Sequence, residues 1–562
     1  MKKHYFTLLW CLPFLGFAQN SITSAITPDL SAYGETTNYP GEGEYEVFLS
    51  PDNILDKPIF VVDGFDPGDA RDITGLYNSL DFVETSGNQN LADLVRAQGF
   101  DVVILNFPTY TRTADNSIID GGADFMERNA MILVELIETI NTQKASNSPE
   151  QNVIIGPSMG GIIARFALNY MEANSMDADT RLYISFDSPH HGANVPIGLQ
   201  HQLNFLAYNN TNAVAEVQPL INGLLKSSAA RQLLTDHLEA HLSGEDLVSF
   251  DPTLKLPVAH PFRAIFQSHI DALTPSGFPE QTRNISIING SGSNIPYFAI
   301  GDSGPTVTNN YPVMSTTLNV PVSIFTASIL IDVNFTPEAS ATNTVSSISI
   351  QLFGNEIEGS IAESESFSYS DGVDAAPGGL FDLAVLTGEL GTGEGVSTDF
   401  VDALSIDKFN FIPSVSALAV EFENDEINWN HSVDIGGPEA TTQTPFANTF
   451  IPDHSEPHVL LTEANVAFAL DEILNPSLHI SNLELNTIQI EKNPIINKLI
   501  LRSNTNNKAL IDITDLTGKT VYNTAVTLHN RTIIPIDLAS GFYLLNVVTE
   551  NSTRFTTKLV VQ

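Results

Sequence analysis

The sequence predicts an α/β protein: a mostly parallel sheet covered by helices, interrupted by a helical lid-like insertion and a β-rich insertion, and followed by a C-terminal β-sandwich. Three observations predict it. Short apolar runs such as Pro58–Val62, Val102–Phe107, Val153–Ile155 and Leu182–Phe186 alternate with helix-forming segments, as buried parallel strands and crossover helices do. Several of these runs end in turns rich in Asp, Ser, His and Gly, so the polar chemistry gathers at one edge of the sheet, where open α/β sheets bind ligands. From about Leu485 the chain changes to short alternating strands separated by turn residues.

In chain order, Met1-Lys2-Lys3-His4 precedes the apolar run Phe6–Phe17 and the small residues Gly16 and Ala18, which reads as a signal peptide over residues 1–18 cut after Ala18. The only cysteine, Cys11, lies inside that signal, so no disulfide is expected in the mature chain. The first part of the core covers residues 19–294. Pro58–Val62 is a strand ending at Asp63-Gly64-Phe65-Asp66-Pro67, and Met131, Leu133, Val134, Leu136, Ile137 and Ile140 mark the buried side of a helix from Asn129 to Thr142. Asn152–Gly156 breaks into Pro157-Ser158-Met159-Gly160-Gly161 and then Ile162–Phe166, which is the order strand, sharp turn, helix. Leu182–Phe186 ends at Asp187-Ser188-Pro189-His190-His191-Gly192-Ala193, and Asn284–Ile288 ends at Asn289-Gly290-Ser291-Gly292. Residues 196–259 are helical and apolar in patches, where a lid would lie. Residues 295–398 read as the β-rich insertion. The core resumes over 399–475 with Phe409–Leu418 and closes with the helix Val466–Leu474, N-capped by Thr462. A linker over 476–484 leads to the tail at 485–562.

A serine in a Gly-x-Ser-x-Gly turn between strand and helix sits in a strained backbone that only small neighbours tolerate, and its hydroxyl is pushed above the sheet edge. Gly156-Pro157-Ser158-Met159-Gly160 has that context. Together with Ser188-Pro189-His190-His191-Gly192-Ala193 and a histidine just before the final helix, it resembles the α/β-hydrolase superfamily, and within it secreted lipases and esterases, over roughly Tyr45–Asn475 outside the insertions. The resemblance implies Ser158 as nucleophile and His458 as the base that carries its proton, with His454 as the neighbour most easily mistaken for it. Asp187 is the favoured acid, and Asp302, Asp374 and Asp407 stay open. The commoner acid position, the turn Asn289–Asn294, has no carboxylate, and Phe409 stands where related lipases place an aspartate. The backbone N–H groups of Met159 and Phe65 are the expected oxyanion donors. Asp63 stands where many lipases have histidine.

In the tail, Asn493-Pro494, Asp515–Tyr522, Leu538–Tyr543 and Lys558–Val561 closely resemble the type IX secretion sorting domain of Bacteroidetes. The resemblance implies export across the outer membrane by the type IX machinery, removal of the tail, and release or surface attachment. A formal net charge of −42 argues against nucleic acid or an anionic membrane as partner. No metal-ligand spacing appears among the histidines, so His190 and His191 read as loop residues. Asp371-Gly372-Val373-Asp374 reads as a solvated turn, with calcium as the alternative, and no cofactor is expected for turnover. The sequence thus points to an exported serine hydrolase cleaving a hydrophobic carboxylic ester. The alternatives are a peptidase or amidase on the same fold, or a catalytically inactive surface-binding protein.

Overall fold

The computed structural model describes residues 19–562 other than 86, 212, 293–294, 323–324, 385–395, 423–425, 432–442, 476–487, 491–493, 504–507, 516–517, 530, 550–553 and 562. The expected signal peptide and linker lie outside the described residues. The chain divides into two compact units, Met1–Asn475 and Pro476–Gln562.

The first unit is built on an eight-stranded sheet of β1 (Asn20–Thr23), β2 (Glu42–Phe48), β3 (Pro58–Val62), β4 (Asp101–Asn106), β5 (Asn152–Pro157), β6 (Thr180–Phe186), β7 (Arg283–Ile287) and β8 (Asn448–Phe450). Their spatial order is β1-β2-β4-β3-β5-β6-β7-β8, with β1 and β2 antiparallel to their neighbours and the rest parallel. Because both faces are covered, the inner strands carry apolar side chains on both sides, as in Val102–Leu105, Val153–Ile155 and Pro58–Val62. In β3, Phe60 and Val62 face α3 (Met126–Lys144) and α4 (Met159–Ala173), while Ile59 and Val61 face the other way. The opposite layer comprises α1 (Ile73–Asn78), α2 (Leu91–Ala97) and the last helix, α8 (Glu463–Leu474). Asn90 caps α2, and Thr462 and Asn465 form a reciprocal capping box on α8.

The lid-like insertion at 196–259 is helical, with α5 (Ile197–Tyr208) and α6 (Ser228–Leu233), and α7 (Pro261–Asp271) follows it. The β-rich insertion is a four-stranded antiparallel meander of Pro312–Val322, Phe325–Asn334, Thr342–Leu352 and Asn355–Glu365. It packs on α5: Ile329, Ile331, Val333 and Ile348 share one apolar cluster with Leu203 and Phe205. His201 from α5 bonds Ser346 at 2.6 Å and Ser360 at 2.8 Å across that face. The two insertions therefore form one body.

The expected return to the main sheet at Phe409–Leu418 takes a different form. Lys408–Pro413 pairs antiparallel with Gly378–Asp382 in a separate two-stranded sheet, and the place at the sheet edge goes to the three-residue β8. Phe409 and Ile412 bury their side chains in the insertion cluster, which explains why the run is apolar without lying in the large sheet.

The second unit is a sandwich of a three-stranded and a four-stranded antiparallel sheet. Leu499, Leu501, Ile511, Ile513, Leu545 and Leu559 fill the space between them. No helix among the described residues is long and apolar enough to cross a membrane.

Candidate active site

Ser158 stands at the junction of β5 and α4 with φ 53° and ψ −131°, a conformation unusual for a side-chain-bearing residue. The neighbouring glycines make the turn possible by close approach. A Cβ on Gly156 would lie 2.4 Å from the Gly161 Cα, and one on Gly160 would lie 2.4 Å from the Val62 carbonyl oxygen.

Above that turn the structure brings together three side chains from distant parts of the chain. His458 Nε2 lies 2.8 Å from Ser158 Oγ, and His458 Nδ1 lies 2.6 Å from Asp187 Oδ2. A carboxylate only accepts, so the Asp187 bond assigns the proton to Nδ1 and leaves Nε2 free to accept from the serine hydroxyl. Asp187 is fully buried at the end of β6, with φ 48°, and its second oxygen accepts from the Asn289 N–H at 3.0 Å. Of the other open acids, Asp374 is buried but accepts from Asn194 and Thr336, and Asp407 accepts from the Gly301 N–H. Asp302 lies on an exposed turn, and neither it nor His454 bonds any of the three.

The loop carrying His458 is held from two sides. Leu380 donates its N–H to the Glu456 carbonyl at 2.9 Å and accepts from the His458 N–H at 2.8 Å, so the strand Gly378–Asp382 is laced to the loop. Asn289 donates Nδ2 to the Leu460 carbonyl at 2.9 Å and to Glu456 at 3.1 Å. The turn after β7, which has no carboxylate, thus supplies an amide that ties Asp187 to the histidine loop. Phe411 presents an edge to the His458 ring, with centroids 5.1 Å apart and planes at 83°. Nothing in the local sequence around Asn289, Leu380 or Phe411 marks these roles, because each depends on a partner far away in the chain.

The turn after β3 lies against the nucleophile: a Cβ on Gly64 would be 3.2 Å from Ser158 Cβ. Among the described residues, the backbone N–H groups of Phe65 and Met159 have no protein acceptor. Asp63 is buried beside this turn, and burial pushes its carboxyl up to about 7 despite the nearby Arg71 guanidinium. His190 and His191 are structural: His190 bonds Ser185 Oγ at 2.8 Å and His191 bonds the Val420 carbonyl at 2.7 Å. Burial holds His190 well below the usual histidine range.

Ser158 opens onto a cavity of about 110 Å³ with almost wholly apolar walls, among them Phe65, Leu199, Leu224, Leu233, Phe381 and Phe411. Most of this wall comes from the insertions. Phe409 lines the same cavity.

Residues 84–230 match the profile of the PGAP1-like alpha/beta domain, and residues 493–562 match that of the secretion system C-terminal sorting domain. No curated protein matches the chain. Among solved structures, a lidless a/b serine hydrolase of Xanthomonas campestris is 13% identical with a TM-score of 0.20, over 31% of this chain and 62% of its own, which is under two thirds of that protein's length. The esterase Pf2001 of Pyrococcus furiosus is 10% identical with a TM-score of 0.23, over 48% of this chain and 71% of its own. The peroxisomal alpha-beta-hydrolase Lpx1 of Saccharomyces cerevisiae is 13% identical with a TM-score of 0.25, over 48% and 73%. The strand order of its sheet and the two profile matches show an α/β-hydrolase fold, with a region similar to the PGAP1-like alpha/beta domain around the serine turn and a region similar to the secretion system C-terminal sorting domain at the C-terminus.

Proposed function

We propose that the protein is an exported carboxylic ester hydrolase of the lipase or esterase kind, working through an acyl-enzyme on Ser158. The observation that carries this reading is the unbroken hydrogen-bonded line from Ser158 Oγ through His458 to Asp187, at 2.8 and 2.6 Å, at the mouth of an apolar cavity.

In this reading Ser158 Oγ attacks the ester carbonyl carbon while His458 Nε2 takes its proton. The negative charge that develops on the carbonyl oxygen meets the N–H groups of Met159 and Phe65. When the tetrahedral intermediate collapses, His458 returns the proton to the departing alkoxide. Water, deprotonated by the same nitrogen, then attacks the acyl carbonyl, and His458 returns the proton to the departing Ser158 Oγ as the acid is released. Asp187 keeps the Nδ1–H tautomer and stabilises the imidazolium that forms in each half. The apolar cavity favours an acyl chain, since a polar group buried there would lose its hydration without a partner. The sorting tail supports delivery to the cell surface or medium by the type IX machinery.

Hydrolysis of a p-nitrophenyl ester compared with a matched anilide tests the reading. Turnover of the ester with little of the anilide is expected, whereas preferred anilide cleavage would make the protein an amidase.

A further inference from the structure

The turn between β3 and α1 contains four consecutive N–H groups, and three are already engaged. Asp63 donates to the Leu105 carbonyl at 3.0 Å, Gly64 donates to Asp63 Oδ1 at 2.8 Å, and Asp66 donates to the Gly122 carbonyl at 3.0 Å. Phe65 alone among them has no protein acceptor among the described residues.

Arg71 completes the arrangement from the other side. Its Nη2 lies 3.2 Å from Asp63 Oδ1 and 3.2 Å from the Phe65 carbonyl oxygen, and its Nε lies 3.4 Å from Asp66 Oδ1. The backbone N–H of Arg71 returns to Asp66 Oδ2 at 2.9 Å. The peptide plane before Gly64 is thus pinned through its N–H, and the plane after Phe65 is pinned through its carbonyl. Between them lies the one plane whose N–H is free. Gly122 reinforces the turn from behind, since a Cβ there would lie 2.2 Å from the Asp66 carbonyl oxygen.

We propose that Asp63 and Arg71 are positioning residues that hold the Phe65 N–H in place as the second oxyanion donor. This rests on the esterase reading and deepens it: neither side chain touches the reacting atoms, and both act through the backbone of the Gly64–Phe65 turn. Asp63 Oδ1 serves as an acceptor for two donors, while Oδ2 is buried with no partner among the described residues. The role is therefore one of hydrogen-bond geometry more than of charge. An asparagine, which keeps one acceptor oxygen, meets it; an alanine does not.

The test uses the full chain with Asp63→Ala, Asp63→Asn and Arg71→Gln, read by steady-state ester hydrolysis and thermal melting. An oxyanion donor acts on the transition state, so misplacing it lowers kcat and leaves KM nearly unchanged. For folded Asp63→Ala the expected result is a kcat at least about 10-fold lower, with KM within about 2-fold of wild type. Asp63→Asn is expected to recover most of that loss. Arg71 is partly exposed, so Arg71→Gln carries the same test if Asp63→Ala does not fold, with the same split between kcat and KM. A folded variant with unchanged kcat, or with only KM raised, would overturn the positioning role while the esterase reading stood. A wild type that turns over no ester would overturn both.

Discussion

Gly379 gives the Asp187 carboxylate the room it needs: a methyl group on the Gly379 Cα would stand 1.9 Å from Asp187 Oδ2, the oxygen that holds His458. Gly379 lies on the short strand whose next residue, Leu380, laces the histidine loop in place. The acid and the base of the proposed triad are thus adjusted by one strand at the edge of the β-rich insertion. Gly379→Ala is expected to displace Asp187 and lower kcat on the order of 100-fold, since displacements near 1 Å at a catalytic group have that effect. Ester turnover at constant folded concentration, with melting as control, checks it.

The acid assignment separates cleanly from its rivals. Asp187→Asn is expected to lower kcat by roughly 10⁴-fold, because an amide in that place donates and favours the wrong histidine tautomer. Asp374→Asn is expected to reduce thermal stability, since Asp374 Oδ2 accepts from both the N–H and the hydroxyl of Thr336. Its turnover per folded molecule is expected to stay near wild type. Parallel kinetics and melts of the two variants decide between them.

In the proposed esterase reading the cavity wall sets acyl-chain length. Leu224 is partly exposed and borders the cavity, so Leu224→Trp adds bulk at a place that tolerates it. Long-chain p-nitrophenyl esters are expected to lose about 10-fold or more in kcat/KM, while acetate and butyrate esters are hydrolysed nearly as before. A uniform change across the panel would place the acyl chain elsewhere.

Asp63 also makes stability depend on pH, and burial is the main cause. Its carboxyl rises from the ordinary value of 3.8 to about 7 in the folded protein. Between those values the folded state holds a proton that the unfolded chain releases, so this group's contribution falls as pH rises through that window. Asp63→Asn removes the cost of the ionised form. Relative to wild type, its unfolding free energy is expected to gain roughly 2–3 kcal/mol between pH 5 and pH 8. Denaturant melts of both proteins at the two pH values measure it.

The tail has its own core, formed only from residues after Asn475. A protein ending at Asn475 is expected to keep its melting temperature and ester turnover and to fail to leave the cell by the type IX route.

Much of the candidate site was legible because its parts are local. The Ser158 turn announces itself by a strand, small residues and a helix in succession, and Thr462 marks the start of α8 and with it the loop of His458. Asp187 was favoured from its place at the end of β6, while Asp302, Asp374 and Asp407 stayed open in the sequence. What stayed hidden is long-range. β8 has three residues, too few for any periodic signal, whereas Lys408–Pro413 is apolar enough to pass for a sheet strand although its partner is Gly378–Asp382. Asn289 and Gly379 matter through what stands opposite them, and the sequence near either does not show that.

The most direct test of the account is covalent labelling of the folded, full-length protein with a fluorophosphonate, followed by peptide mapping. A single adduct on Ser158 is expected, lost in Ser158→Ala and strongly slowed in His458→Ala. A folded protein that takes no adduct at Ser158 would contradict it.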